Sequence, residues 1–287
     1  MALTLSQPHA DIFIPDGRSL DSVLRQGVTH LGIGAHQDDL EFNAFHGILS
    51  CYHVPGKAFA GVICTDGAGS SRTGPYGHVS DQEMRAVRQR EQRAAAVTGE
   101  YALLAQLDYS SQQLKSADNA RLARDLAALI SELRPGVVYT HNPADKHETH
   151  LAVFSATLKA IRSLPEEQRP GKLLGYEGWR SLDWVIDSEK TILDVSQREH
   201  LFSALAGIFD SQIAGGKRYD LATVGRLCAN ATFGNSHAAD AVSRASLALD
   251  LTPLITDDSL DPVEFTLGFV DRLREDIRTK LGNALSL

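Results

Sequence analysis

Four short apolar runs recur along the first half of the chain, with stretches of helical periodicity between them: VTHLGIGA (28 to 35), AFAGVICTDG (58 to 67), YALLAQLDYS (101 to 110) and GVVYTHNP (136 to 143). Runs of that length with no polar alternation read as strands buried on both faces. The segment 80 to 99 between the second and third opens on Ser80, has Glu83 three residues on and closes on Gly99, the signature of a capped helix. A second helix is expected over 116 to 135 and a third over 150 to 164. Strands alternating with helices imply right-handed crossovers, so the predicted fold is α/β and Rossmann-like, a mostly parallel sheet with helices on both faces. After residue 165 the pattern changes. LLGYEGWRSLDWVI and KTILDVS read as further strands, HLFSALAGIFDSQI as a helix, the stretch after Gly215 as loop-rich, and 262 to 285 as a final helix. The expected organisation is a metal-binding catalytic core over 1–165 and a mixed C-terminal portion over 166–287 that completes the fold and shapes the pocket.

Ligands of such sheets bind outside the carboxyl ends of the strands, and two polar clusters lie at such ends. GAHQDDLEF (34 to 42) brings His36, Asp38, Asp39 and Glu41 together just after the first strand. Carboxylates that close raise one another's proton affinity unless a positive charge sits among them. A metal ion meets that need. An H-x-x-D turn can aim His36 and Asp39 at one point, and imidazole with carboxylate suits zinc, iron or manganese. The plain alternative is a strand-end turn in which Asp38 or Asp39 caps the next helix. NPADKHETH (142 to 150) follows the fourth strand, with Asp145 ahead of His147 and His150. Spaced i, i+3 on the opening turn of a helix, the two histidines share a face. Each cluster alone has a surface reading; both at the edge of one sheet converge.

A catalytic zinc keeps an open position beside three protein ligands, whereas structural zinc is closed by four that are usually thiolate-rich. His36, Asp39 and His150 make a three-ligand set with no cysteine nearby, which leaves Asp38 and His147 uncommitted; a carboxylate beside a metal-bound water can be a general base, and a second imidazole an electrophile toward a developing oxyanion. That inventory is one for metal-assisted hydrolysis.

Other classes are disfavoured by the rest of the sequence. With 28 basic and 36 acidic residues the chain carries −8, without a basic face for nucleic acid or an anionic membrane. No run approaches the roughly 20 apolar residues of a membrane span, and the N-terminus lacks the basic and apolar regions of a signal peptide, so a cytoplasmic protein is expected. Cys51, Cys64 and Cys228 fit a reducing compartment. GIGAHQ meets the dinucleotide fingerprint only at Gly32 and Gly34. A homo-oligomer is left open by the sequence.

AHQDDLEF resembles the A-H-P-D-D-E signature, and DKHETH the D-x-H-x-x-H signature, of the LmbE-like, PIG-L zinc N-acetylglucosamine deacetylases, in the same order and strand context. Weaker agreement extends to TDGAGS, to Arg88 and Glu91, and to FDSQI near 209 to 213. The resemblance implies Zn2+ on His36, Asp39 and His150, Asp38 as general base, His147 at the oxyanion, and as substrate a small-molecule amino-sugar conjugate that loses its N-acetyl group. Rival readings are hydrolysis of another amide or ester and a non-catalytic metal scaffold. Two departures stand out: Gln37 replaces a proline, and Thr149 stands where many members have an aspartate that orients the histidine, so that Asp145 is a substitute orienter. Arg88 and Asp145 are the expected substrate contacts, Arg88 as a fork for hydroxyls or an anionic aglycone. TDGAGSSRTGPYGH reads as a mobile loop over the site. His46, His53, His78, His141, His200 and His237 have no matching partner at motif spacing and are expected to be structural or surface residues, His78 being the first to watch.

Overall fold

A computed structural model describes residues 3–116, 119–234 and 239–286. The first half runs β1 (Asp11–Phe13), α1 (Leu20–Gln26), β2 (His30–Gly34), α2 (Asp39–Asn43), α3 (Phe45–Cys51), β3 (Phe59–Thr65), α4 (Asp81–Thr98), β4 (Leu103–Tyr109), α5 (Ser111–Leu114), α6 (Ala120–Leu133), β5 (Val137–His141) and α7 (Glu148–Arg162). The second half runs β6 (Lys172–Tyr176), β7 (Thr191–Asp194), α8 (Glu199–Gly207), α9 (Asp210–Ile213), α10 (Tyr219–Phe233), β8 (Ala245–Asp250), α11 (Pro253–Thr256) and α12 (Pro262–Leu285).

All eight strands form one sheet in the order β1-β4-β3-β2-β5-β6-β8-β7. The five central strands are parallel, and β1, β8 and β7 add antiparallel pairs at the two sides. The α/β, mostly parallel architecture expected from the sequence is therefore the one observed. From β2 the chain steps outward through β3 to β4, then returns to place β5 on the other side of β2. That reversal opens a crevice at the carboxyl ends of β2 and β5.

Apolar side chains fill both faces of the sheet. Leu31, Ile33, Val62, Leu103 and Val138 lie in one buried cluster with α6 and α7, while Leu40, Ile48, Phe59, Tyr139 and Phe202 lie in the other. Helix α2 sits so close to the sheet that a Cβ on Gly32 would stand 2.8 Å from Leu40 Cδ2 and from Phe59 Cζ. Gly32 thus serves helix–strand packing.

The stretch after Gly215 differs from its expected loop-rich character: α10 and β8 both fall within it. Helix α10 fully buries Leu227 alone and leaves Leu221 and Phe233 exposed, so its apolar residues do not gather on one face. Strand β8 pairs antiparallel with both β6 and β7, a tertiary arrangement with no local signal. The strand expected over LLGYEGWRSLDWVI ends at Tyr176, and the helix expected over HLFSALAGIFDSQI breaks between α8 and α9 at Phe209. His237 lies outside the described residues.

Candidate metal centre

The turn from β2 into α2 supplies the first cluster. Asp38 occupies the N-cap position of α2 with φ 92°, a left-handed conformation, and its side chain makes no capping bond. For a non-glycine residue that costs on the order of 1–2 kcal/mol, so the capping alternative gains nothing here. The conformation is held instead from α4: Gln92 Oε1 accepts from the Asp38 backbone N–H at 3.0 Å, and Arg88 donates to Asp38 Oδ2 at 2.9 Å. Asp39 turns the other way and accepts from the His36 backbone N–H through Oδ2 at 2.7 Å.

The end of β5 supplies the second cluster. His147 stands at the N-cap of α7 and His150 in its first turn, their rings stacked with centroids 4.6 Å apart. His150 Nε2 lies 3.2 Å from His36 Nδ1 and 3.6 Å from Asp39 Oδ1, and His36 Nδ1 lies 3.4 Å from Asp39 Oδ2. Two imidazole nitrogens and a carboxylate thus converge from two strand ends 114 residues apart. Donors bound tetrahedrally at zinc's ~2.0–2.1 Å would stand about 3.3 Å from one another, close to the separations here, where Asp39 meets His36 through Oδ2 and His150 through Oδ1 and where His147 and His141 also come within reach of a metal. Behind it, Asp145 Oδ2 lies 3.2 Å from His150 Nδ1. That is the carboxylate–histidine arrangement that turns a ligand's second nitrogen toward a metal.

The family model described as GlcNAc-PI de-N-acetylase matches residues 31–161. An Escherichia coli protein described as an uncharacterized deacetylase, YaiS, is 29% identical over 168 residues, 55% of this chain and 80% of that one. The stretch that is similar to the PIG-L deacetylases contains both polar clusters, 34 to 42 and 142 to 150. Among the solved structures that share the fold of this chain are the following two. The 4-carboxy-2-hydroxymuconate hydratase GalB from Pseudomonas putida has a TM-score of 0.61 at 19% identity, over 78% of this chain and 96% of its own. The N,N'-diacetylchitobiose deacetylase from Pyrococcus horikoshii has a TM-score of 0.59 at 15% identity, over 83% of this chain and 89% of its own.

Within the site, electrostatics separate the two aspartates. Burial pushes the Asp38 carboxyl up to about 6 although the Arg88 guanidinium pulls it down. Burial acts on Asp39 too, but His150, whose own imidazole is raised, and the contact with His36 outweigh it and hold its carboxyl well below the ordinary range. One carboxylate is therefore poised to exchange a proton and its neighbour to stay ionised. His147 is lowered to about 4, first by burial and then by His36 and His150. Its Nδ1 accepts from the Thr149 backbone N–H at 3.2 Å, which leaves the proton on Nε2. Thr149 thus fixes the His147 tautomer through its backbone, and Asp145 does not serve as the orienter of that ring.

Several residues stand elsewhere than the sequence suggested. Arg88 is buried rather than on an exposed helix face, and Glu91 Oε2 accepts from it at 3.0 Å. Glu91 also accepts from the Ser211 backbone N–H and hydroxyl, both at 2.7 Å, which ties FDSQI to α4. Asp145, expected at the substrate, is buried behind His150 and accepts from the Trp179 backbone N–H at 3.1 Å. Gln37 turns away from the rim and donates to the Thr65 carbonyl at 3.0 Å. The loop TDGAGSSRTGPYGH is anchored by Tyr76, whose hydroxyl donates to Asp210 at 2.7 Å.

His141 corrects the expectation that it lacked partners. It ends β5, is fully buried, stacks on His150 with centroids 3.8 Å apart, and lies 3.5 Å from Asp39 Oδ2. Its Nε2 accepts from the Ala35 N–H at 3.0 Å, which bolts the end of β5 to the end of β2, and burial keeps it neutral. Its place as the last residue of a strand at the ligand-binding edge was the available signal. Glu41, held by Tyr101 at 2.6 Å and Gln92 at 2.8 Å, is likewise buried, and burial raises its carboxyl to about 7.

Proposed function

We propose that this enzyme removes the N-acetyl group from an N-acetylglucosamine-type sugar conjugate, with zinc held by His36, Asp39 and His150. The observation that carries this reading is the convergence of those three donors to within 3.2–3.6 Å of one another, with the uncommitted Asp38 and His147 beside them. When bound, zinc would polarise the amide carbonyl and lower the pKa of a water. Asp38 would accept the water's proton as its oxygen attacks and pass it to the leaving amine nitrogen, a transfer suited to a carboxyl near 6. Arg88 and Gln92 hold that carboxylate and its backbone in place. His147 would donate from Nε2 to the carbonyl oxygen as negative charge builds there. Acetate and a free amino sugar result. The core would be residues 1–165, with 166–287 closing the pocket, and three free cysteines suit a reducing, cytoplasmic setting.

Acetate release from a panel of N-acetylglucosamine conjugates by zinc-loaded protein tests the reading. Asp38→Ala is expected to lower turnover by about 10²- to 10⁴-fold while metal content is retained. Asp39→Ala and His150→Ala are expected to lose the metal. Full activity in Asp38→Ala would sink the mechanism. Water addition of the kind named for the Pseudomonas hydratase would release no acetate, so the same assay separates the two chemistries.

A further inference from the structure

A cavity of about 650 Å³ stands over the centre, and its walls have a definite sign. Among the described residues its lining includes two carboxylates, Asp38 and Asp39, both on the floor. Among the lining cations, Arg88 is spent on Asp38 and Glu91. Lys217 remains on the wall formed by the C-terminal portion beside Arg226, which also faces the buried Glu177, while Lys115 on the rim pairs with Glu148 at 3.7 Å. Lys217 places its ammonium 5.1 Å from the centre of the Trp179 indole rather than against a carboxylate. Arg226 donates to the Gly178 carbonyl beside Trp179, so the two cations flank one aromatic residue. In a chain of net charge −8 this concentration does not follow from composition.

Trp179 links this wall to the reacting end. Its ring lies 6.4 Å from that of His147 and 6.1 Å from that of Tyr219, in an edge-on contact with the latter. An acetamido group presented to His147 would therefore have an aromatic face beside its sugar ring and cations one step further out. Resting on the deacetylase reading, we propose that the conjugate's aglycone carries an anionic group, a carboxylate or phosphate, held by Lys217 and Arg226. Partly desolvated cations make charge-assisted hydrogen bonds to such oxygens, and a cleft lined by one sign gathers its counter-charge from solution.

The test uses three N-acetylglucosamine conjugates that differ only in a terminal carboxylate, phosphate or carboxamide, assayed for acetate release and for equilibrium binding by the zinc-loaded protein. The anionic conjugates are expected to exceed the carboxamide by about ten- to a hundredfold in kcat/KM and in affinity, through KM, with the advantage shrinking as salt is raised. A preference for carboxylate over phosphate, or the reverse, identifies the source. Lys217→Gln is expected to erase most of the preference, and Lys217→Arg to retain it. Equal handling of charged and neutral conjugates, or a Lys217→Gln protein that still discriminates, overturns the proposal. Absence of acetate release from all three defeats the deacetylase reading, and the binding arm still decides the charge preference by itself.

Discussion

Asp145→Asn would leave a group of the same shape behind His150 while removing the negative charge that faces its Nδ1 across 3.2 Å. Asp145 is itself held below its ordinary range: burial opposes this, and the bond to His150 prevails. Orienting carboxylates of this kind contribute roughly 10- to 100-fold to metal affinity, so competition with a chelator is expected to show zinc bound weaker by about that factor. Turnover at saturating zinc should fall less. Unchanged affinity would mean that His150 is oriented by the ring stack with His141 alone. The same residues show what a sequence can reveal at this scale. His36 and Asp39 are three positions apart on one turn, and His147 and His150 on another, so their convergence follows from local geometry plus the rule for sheet edges. The positions of Asp145, His141 and Arg88 do not follow, because their partners come from other segments: Asp38 is 50 residues from Arg88, and Ala35 is 106 from His141.

Helix α4 carries both Arg88 and Gln92, the two side chains that hold Asp38, so its start bears on the site. Ser80 Oγ accepts from the Glu83 backbone N–H at 3.3 Å, and Glu83 Oε2 accepts from the Ser80 backbone N–H at 2.9 Å, completing the reciprocal cap that the sequence foretold. Ser80→Ala is expected to cost about 1 kcal/mol, which in a chain of this size lowers Tm by about 2 °C. Because Arg88 lies two turns further in, turnover per folded molecule should hold. A thermal melt and an assay on the same sample check both parts, and a Tm equal to wild type would show that the cap is frayed in solution. Elements with such local chemistry, α4 among them and the strands β2 to β5, were legible because each buries its own apolar residues in a regular pattern. Helix α10 and strand β8 were not. The former leaves most of its apolar residues, Leu221 and Phe233 among them, exposed rather than on one buried face, and the latter is a strand because β6 and β7 flank it.

Acid stability belongs to the whole molecule, since every titrating group contributes through the same folding equilibrium. His30, at the start of β2 and so at the opposite end of that strand from the centre, has its imidazole lowered to about 4, first by burial and then by the nearby charges of His46 and Lys57. Its Nδ1 lies 2.9 Å from Thr29 Oγ1. Between the unfolded value of about 6.5 and about 4 in the fold, the unfolded chain binds a proton that the folded one refuses. The folded state therefore loses stability at this site as pH falls through that window. Asp38 and Glu41 act in the opposite sense: with carboxyls raised to about 6 and about 7, they are protonated in the fold where the unfolded chain has already released its protons. These opposed slopes hide the histidine in the total curve, but a difference between two proteins isolates it. Urea midpoints of wild type and His30→Gln, measured from pH 7 to pH 4.5, are expected to show a wild-type advantage that is largest near pH 7 and shrinks steadily below about 6.5. A difference that stays constant with pH would mean that the native fold accepts the proton on His30, and that the neighbourhood of Thr29, Cys51 and Tyr139 is open to water.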